Sequence, residues 1–205
     1  MSLEIEAKMA VDDAEALRRR LAAIGARHVR QTREVNIFFD DDAGSLQAAD
    51  RGLRIRMNEH EPIEGENTPS ERSTSHRTIT VTCKGPREDG VLKRREEIEF
   101  HVDDADAAAA LFEALGYRRT LSFDKHRETF TWRDCEIVLD HLPYLGHFIE
   151  IEGPDNTSVM EARRALGLEE SPLLTSSYIA MLASFLHEHD IRAEHISLDA
   201  ATSAR

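Results

Sequence analysis

Charged and apolar residues alternate one by one along several segments of this chain. In the first of them, Glu4-Ile5-Glu6-Ala7-Lys8, the glutamates and the lysine fall on one face of a β-strand, because successive strand side chains point to opposite sides. The same alternation, together with β-branched residues, predicts further strands over 29–40, 52–58, 77–84, 91–101, 119–132 and 135–142. We therefore expect a sheet that is charged on one face.

Three copies of Glu-Ile-Glu indicate a repeated strand–helix unit, and they lie at 4–6, 97–99 and 150–152. Each copy precedes a helix-like run, and the three runs end at Gly25, Gly116 and Gly167. The Asp pairs at 12–13 and 103–104 are N-cap candidates, and the glycines are C-cap candidates. A further amphipathic helix is predicted over 175–188. The chain thus holds at least three amphipathic helices, each of which needs an apolar surface to cover.

The helices and the charged strand faces together predict a barrel. On any single strand, a charged face is explained by solvent on one side of an amphipathic sheet. If helices cover the apolar faces of six such strands, however, the charged faces must converge inside. About eight strands are enough to close a sheet without exposed edges. We predict an α+β fold, a closed or nearly closed eight-stranded antiparallel β-barrel that forms a tunnel with a polar interior, with helices packed outside.

Length and composition fit one soluble domain. The chain has 205 residues, of which 40% are hydrophobic and 32% charged, and no apolar run approaches the roughly 18 residues of a membrane helix. We assign 1–190 to a single domain, with a flexible loop insertion at 58–76 and a disordered C-terminal tail at 191–205. Because no secretory signal is recognisable, we expect a cytoplasmic protein without a membrane partner.

The formal net charge of −13 excludes a general nucleic-acid binder, since such binding needs many Lys and Arg side chains to meet phosphates. A polyanion would have to bind in a local pocket, and the predicted tunnel is such a pocket. Its basic side chains would be Lys8, Arg54, Arg56, Lys84, Arg95, Lys125 and Arg127. Its carboxylates would be Glu4, Glu6, Asp140, Glu150 and Glu152.

A cluster of carboxylates of this kind needs a counter-ion. Two carboxylates about 4 Å apart repel by roughly 4 kcal/mol at an effective dielectric constant near 20. All-oxygen ligands favour Mg²⁺ or Mn²⁺, which also accept phosphate oxygens in their coordination shell. Once a metal neutralises the carboxylates, the basic residues remain in excess. That excess fits a chain of phosphates, whose oxygens Arg can bind in bidentate fashion.

Seven motifs carry a family likeness: EIEAK (4–8), GLRIR (52–56), TCKGP (82–86), REEIE (95–99), FDKHR (123–127), LDHLPYLGHFIEIEG (139–153) and Ser177-Tyr178. In this order, over residues 3–185, they resemble the CYTH superfamily. These triphosphate tunnel metalloenzymes include class IV adenylyl cyclases, thiamine triphosphatases and inorganic tripolyphosphatases. Seven motifs in one order are far more specific than any one of them.

The resemblance implies a role for each matching residue. It implies metal ligation by Glu4, Glu6, Asp140, Glu150 and Glu152. It implies phosphate contacts by Lys8, Arg54, Arg56, Lys84, Arg95, Lys125 and Arg127, of which Lys8, Arg56, Lys84 and Lys125 are predicted to be catalytic. Glu97 and Glu99 are expected to orient basic neighbours as often as to touch a metal. The Asp-x-Tyr of strand two in the family is replaced by Asn36 and Phe38, so no substrate contact carries over there.

The segment 139–153 looks most like the class IV adenylyl cyclase branch. In that hypothesis the ribose 3′-hydroxyl of ATP attacks the α-phosphorus, giving cyclic AMP and pyrophosphate. In the alternative, a triphosphatase, Lys8 positions or deprotonates a water that attacks the terminal phosphorus of inorganic tripolyphosphate, thiamine triphosphate or a nucleoside triphosphate. A non-catalytic polyphosphate- or nucleotide-binding module is a third reading. The sequence leaves open the nucleophile, the preferred metal and whether the protein is a homodimer.

Overall fold

The structure is a computed structural model that describes residues 2–61, 77–88 and 90–199. The strands within these residues are β1 (Ser2–Val11), β2 (Arg27–Asp40), β3 (Gly52–Glu61), β4 (Arg77–Glu88), β5 (Lys93–Val102), β6 (Arg118–Trp132), β7 (Cys135–Leu142), β8 (Gly146–Glu152) and β9 (His195–Ile196). The helices are α1 (Ala14–Ala23), α2 (Ser45–Ala48), α3 (Ala105–Ala114), α4 (Asn156–Ala165) and α5 (Tyr178–Glu188). Of the insertion expected at 58–76, residues 58–61 continue β3 and the remainder lies outside the described residues.

Strands β1 to β8 close into an antiparallel barrel. Their order around the sheet is β2-β3-β4-β5-β1-β8-β7-β6. The two end strands also pair with each other, from Arg27 opposite Thr131 to Asp40 opposite Arg118. The short strand β9 lies outside the closed ring and runs parallel to β6. The predicted eight-stranded closed barrel is therefore confirmed.

The first strand shows how the barrel is built. Ile5, Ala7 and Met9 face outward and are buried in an apolar cluster with residues of α1 and α4. Glu4, Glu6 and Lys8 alternate with them and line the interior. Helices thus cover Ile5, Ala7 and Met9 from outside, and the charged face of the strand lines the interior. This confirms the predicted polar interior.

Three helices cover the outside and begin and end near the predicted positions. The Asp13 side chain accepts a hydrogen bond from the Ala16 backbone N–H (2.8 Å), and Asp104 does the same for Ala107 (3.0 Å). Such caps satisfy backbone donors that have no partner within the helix. After each helix a glycine adopts a left-handed conformation, in which a Cβ would be strained. The φ values are +75° at Gly25, +94° at Gly116 and +64° at Gly167.

Helix α5 packs differently from the other long helices. Its residues Leu182 and Leu186 share an apolar cluster with Phe123 and Phe148. These two phenylalanines are in phase with Lys125 and Glu150, so they belong to the inward face of the barrel. Helix α5 therefore covers one end of the tunnel. It begins at Tyr178, three residues after the predicted start, because the Ser177 side chain caps it.

The segment after α5 follows the barrel wall. Residues 191–199 belong to the tail that was expected to be disordered, yet Ile196 and Leu198 are buried. β9 pairs with β6 at Ser122 and Phe123. β9 has only two residues, too few to show the alternation that marks a strand in the sequence. The sequence therefore did not predict it. Among the described residues, no helix combines the length and the apolar character needed to cross a membrane.

Ile151→Ala should lower the free energy of unfolding by about 2–5 kcal/mol, because Ile151 is fully buried in the outer apolar cluster and its truncation leaves a cavity. Ile98 holds the same position in another Glu-Ile-Glu copy but is 48% exposed. Ile98→Ala should therefore cost less than about 1 kcal/mol. Urea denaturation of both variants measures the difference, and equal losses would contradict the placement of the two side chains.

Candidate active site

The interior of the barrel holds a cavity of about 950 Å³. Every basic residue predicted to contact phosphate lines it: Lys8, Arg54, Arg56, Lys84, Arg95, Lys125 and Arg127. The predicted metal ligands Glu4, Glu6, Glu150 and Glu152 line it as well. Asp140 has a different place, because it is fully buried behind the lining residues. The structure thus brings together residues that lie up to 148 positions apart in the sequence.

Cross-strand pairing sets the charged residues side by side. The opposed pairs around β1 are Glu4–Arg95, Glu6–Lys93, Glu6–Glu152 and Lys8–Glu150. Opposed residues on antiparallel strands have Cβ atoms about 4.5–5.5 Å apart, so their side chains interact directly. The register of β1 with β5 and β8 therefore decides which side chains face an opposite charge and which face a like charge.

Arg127 is the centre of a buried ion network. Its Nε and Nη2 donate to Asp140 at 2.7 and 2.6 Å, and Nη2 also donates to Glu150 at 2.8 Å. Lys125 Nζ donates to the same Asp140 carboxylate at 2.9 Å. In this structure, both oxygens of the Asp140 carboxylate accept hydrogen bonds from Lys125 and Arg127. These bonds orient the two basic side chains toward the cavity.

Glu34 is a further interior carboxylate that the sequence analysis did not assign. Its carboxylate lies 3.4 Å from Arg56 Nε and 3.3 Å from Lys125 Nζ. Burial alone would raise the pKa of Glu34, but the charges of Arg56, Lys125 and Arg127 outweigh burial and lower it. The signal was present in the sequence, since Glu34 is in phase with Asn36 along β2.

A row of carboxylates crosses three neighbouring strands. Glu6, Glu152 and Glu136 are opposed across β1, β8 and β7. Burial and the nearby carboxylates of Glu4 and Glu136 raise the pKa of Glu152 to about 7. Burial and the charge of Glu150 raise the pKa of Glu6. Glu136 was not predicted, although it is in phase with Asp140 along β7, and the row places three carboxylates side by side.

Arg54 on β3, on the opposite side of the barrel from β8, is crowded by another cation. Burial, and then the charge of Arg56, lowers the pKa of Arg54 to about 10. Arg54 Nη2 donates to the Thr82 hydroxyl at 3.3 Å. Burial and the charge of Arg127 likewise lower the pKa of Lys125. An anion bound between these side chains would relieve their repulsion.

Two lysines already pair with the carboxylates of β1. Lys84 Nζ donates to both oxygens of Glu4 at 3.1 and 3.0 Å and also contacts Glu97. Lys93 Nζ lies 2.5 Å from Glu6. Lys93 was not assigned a role from the sequence, although it is in phase with Arg95 along β5.

Arg95 and Glu99 are held by neighbours from other elements. Arg95 Nη2 donates to the Asp50 carboxylate at 2.8 Å, from the turn that follows α2. Glu99 accepts a hydrogen bond from the Thr82 hydroxyl at 3.0 Å. The turn before β3 therefore helps to position one of the predicted phosphate contacts.

Tyr178 joins α5 to the site. Lys8 Nζ lies 4.0 Å from the centroid of the Tyr178 ring and Lys125 Nζ lies 5.2 Å from it, which are cation–π distances. Lys8 Nζ also lies 3.1 Å from Glu150. Strand periodicity could not reveal this contact, because Tyr178 belongs to a helix.

Three of the predicted metal ligands carry donor atoms that fit an oxygen-preferring divalent cation. Glu4, Glu6 and Glu152 offer only oxygen ligands, and burial together with neighbouring carboxylates raises the pKa of Glu6 and of Glu152. In the ranges 2–61, 77–88 and 90–199, however, no three Asp, Glu, His or Cys side chains are gathered in an arrangement that could hold a metal ion. The residue chemistry fits such an ion, whereas Glu4 and Glu6 are paired with Lys84 and Lys93 in this structure.

The chain is similar to a known protein family and to two described proteins. The sequence model of the CYTH domain family matches residues 2–177. A Methanocaldococcus jannaschii protein described as a candidate adenylate cyclase is 25% identical over 188 residues, which cover 87% of this chain and 98% of that protein. The adenylate cyclase CyaB of Aeromonas hydrophila is 28% identical over 185 residues, which cover 85% of this chain and 86% of that protein.

A solved structure shares the fold at lower identity. It is a Hippeastrum protein described as a candidate adenylyl cyclase with a dominant triphosphatase activity. It superposes with a TM-score of 0.65 at 18% identity, over 89% of this chain and 96% of that one. At this identity the likeness shows the fold alone.

Glu152 should make the stability of the metal-free protein depend on pH. Its folded pKa is about 7 against an ordinary value of 4.5, so the folded state binds an extra proton between these two values. The stability that depends on this proton is fully present below about pH 4.5 and is lost as the pH rises to about 7. Glu152→Gln should flatten the fall in melting temperature over this window. Glu96 is exposed on β5, so Glu96→Gln should leave the fall in melting temperature unchanged. If melting temperature depends on pH in the same way in Glu152→Gln and in the parent protein, Glu152 is not crowded by neighbouring carboxylates.

Proposed function

Because this chain belongs to the CYTH family, we propose that it is a divalent-metal-dependent enzyme that acts on a triphosphate bound in the tunnel. The reaction we favour is that of a class IV adenylyl cyclase, which converts ATP to cyclic AMP and pyrophosphate. The descriptions of the Methanocaldococcus and Aeromonas relatives as adenylate cyclases support this choice.

The separation of charge inside the cavity carries the proposal. One wall crowds the carboxylates Glu6 and Glu152, and the opposite wall crowds the cations Arg54 and Arg56. A triphosphate with a bound divalent cation presents both complementary charges in one ligand. Its binding would relieve the repulsion on both walls at once.

In the cyclase reaction, the ribose 3′-oxygen forms a bond to the α-phosphorus. The bond from the α-phosphorus to the leaving oxygen breaks, pyrophosphate departs, and the hydroxyl proton passes to a base or to solvent. A divalent cation held by Glu4, Glu6 and Glu152 would neutralise phosphate oxygens and stabilise the leaving pyrophosphate.

The chain's own residues would supply binding and orientation. Arg54 and Arg56 stand opposite Thr82 and Thr80 on β4 and can each bind two phosphate oxygens through a planar guanidinium. Lys125 and Arg127 are already oriented by the Asp140 carboxylate, so little reorganisation is needed when charge develops.

A triphosphatase is the second candidate. The Hippeastrum protein of the same fold is described as having a dominant triphosphatase activity. In that reaction water attacks the terminal phosphorus, and Lys8, held between Glu150 and the Tyr178 ring, would position it. A non-catalytic binding module is less consistent with this chain, because it would not need the carboxylates that are all retained.

Product analysis tests the proposal. Purified protein is incubated with ATP, tripolyphosphate or thiamine triphosphate, each with Mg²⁺ or Mn²⁺. Cyclic AMP and pyrophosphate from ATP are the expected products. Orthophosphate from tripolyphosphate would instead support the triphosphatase. Binding of all three ligands without turnover would contradict both enzymatic readings.

Glu6→Gln should lower metal-dependent turnover by at least about 10- to 100-fold. Mutation of a residue that only orients a metal ligand already lowers activity by about that factor. The substitution keeps the shape of the side chain and removes the charge. Glu96→Gln is the matched control, because Glu96 is exposed on β5 and faces away from the cavity. Turnover rates and melting temperatures of both variants are measured together, and unchanged turnover in Glu6→Gln would refute its role.

A further inference from the structure

A serine, a histidine and an aspartate meet on the outer face of the barrel. Ser122 and Asp124 lie two positions apart on β6 and alternate with the inward-facing Phe123 and Lys125, so both point away from the tunnel. His195 of β9 is opposed to Ser122 in the parallel pairing of β9 with β6. These three residues are not among those that line the tunnel cavity, and the proposed function gives them no role.

The His195 ring bridges the other two side chains. Its Nδ1 lies 2.5 Å from Ser122 Oγ, and its Nε2 lies 3.1 Å from Asp124 Oδ1. Side chains two positions apart on a strand stand about 6.5–7 Å apart, a gap that an imidazole ring can span. A carboxylate beside Nε2 favours the tautomer that carries its proton there. Nδ1 is then left to accept a hydrogen bond from the Ser122 hydroxyl.

The Asp124 carboxylate is held in place from the other side. It is 2% exposed, and its Oδ2 accepts hydrogen bonds from Arg33 Nη2 at 2.7 Å and from Ser197 Oγ at 3.4 Å. Its Oδ1 has no aligned hydrogen bond within the part of the chain that the structure describes, and His195 Nε2 contacts this oxygen as an ion pair. Such contacts tighten when the ring takes up a proton. The buried oxygen is thus placed to stabilise a charged imidazole.

The Ser122 hydroxyl can be reached from solvent. The His195 side chain is 44% exposed, and Ser122 is only partly buried. On the neighbouring strand β2, Ile37 is opposed to Ser122 and Val35 to Asp124, and both apolar residues are partly buried. A small neutral group at the hydroxyl would therefore lie beside apolar side chains.

We propose that Ser122, His195 and Asp124 form a second reactive site, in which Ser122 acts as a nucleophile on esters of short acyl groups. Ser122 and His195 are its catalytic residues, and Asp124 is a positioning residue that acts through His195. A nucleophile, a base within hydrogen-bond reach and a third group that orients the base define this kind of site, whatever their order in the chain. The site is separate from the tunnel and needs no metal ion.

The reaction balances with water as the only co-substrate. The ester carbonyl carbon bonds to Ser122 Oγ while the hydroxyl proton passes to His195 Nδ1. The bond from that carbon to the leaving oxygen breaks, and the departing alcohol takes the proton from His195. Water then attacks the acyl-serine, its proton returns through His195 to Ser122 Oγ, and the acid leaves. One ester and one water thus give one acid and one alcohol.

A fluorophosphonate probe, which forms a stable bond to an activated serine and releases fluoride, tests the nucleophile. Peptide mass spectrometry should find the probe on Ser122, at a rate that EDTA does not change. His195→Gly and His195→Gln should each slow this labelling by about 10²- to 10⁴-fold, the usual contribution of a general base. The parent protein should also hydrolyse p-nitrophenyl acetate, and Ser122→Ala should remove that activity.

Ser184→Ala is the matched control for Ser122→Ala. The Ser184 hydroxyl donates to the Glu188 carboxylate at 3.2 Å on the exposed side of α5. Its loss should change both rates by less than about 2-fold. Melting temperatures show which variants are folded.

Added imidazole tests the role of Asp124 separately from its effect on stability. Imidazole should restore labelling of Ser122 in His195→Gly, because the free ring can occupy the space of the missing side chain. It should restore much less in the double variant His195→Gly/Asp124→Asn, which lacks the carboxylate that holds the ring. Equal rescue in the two folded proteins would remove Asp124 from the site.

The remaining outcomes decide the proposal as a whole. It is overturned if Ser122 is not labelled, if folded His195 variants are labelled as fast as the parent, or if Ser122→Ala hydrolyses the ester as fast as the parent. Each of these results leaves the proposed triphosphate chemistry of the tunnel untouched.

Discussion

The pairing of β2 with β6 is the contact on which the rest of the molecule depends. It joins the two ends of an eight-stranded sheet, so the face that carries Glu6 and Lys8 becomes an enclosed interior. On an open sheet these charges would simply be solvated. Inside a closed barrel they leave water, and a buried charge is costly unless an opposite charge lies beside it. Arg127, with Asp140 and Glu150 as partners, shows how the barrel meets that requirement.

Some charged side chains inside the tunnel have partners of opposite charge, and others are crowded by like charges. A structural ion network would pair them all, so the crowded groups indicate a binding site. The groups around Arg127 are satisfied by one another, which makes them a rigid support. Glu152 and Arg54, on opposite walls, are crowded by like charges. A ligand that brings both a cation and phosphates would complete these two walls. The same arrangement suits a cyclase and a hydrolase, because both reactions build charge on phosphate oxygens.

Helix α5 links the charged tunnel to the apolar cluster at one end of the barrel. Its first residue, Tyr178, lies over Lys8, and its later residues close the apolar end. The sequence model of the CYTH domain family matches residues 2–177, so the match ends at the N-cap of this helix.

The sequence by itself determined the local features: the strand faces, the helix ends and the motif order that identified the family, which the family match confirms. Strand alternation and helix caps depend on neighbouring residues, so short segments encode them. It also indicated seven of the basic residues that line the cavity. Only the tertiary structure decided that Asp140 faces Arg127, that Glu34 and Glu136 join the site, and that α5 enters the end of the barrel. Those contacts depend on cross-strand register and helix docking between distant segments, which no local pattern specifies.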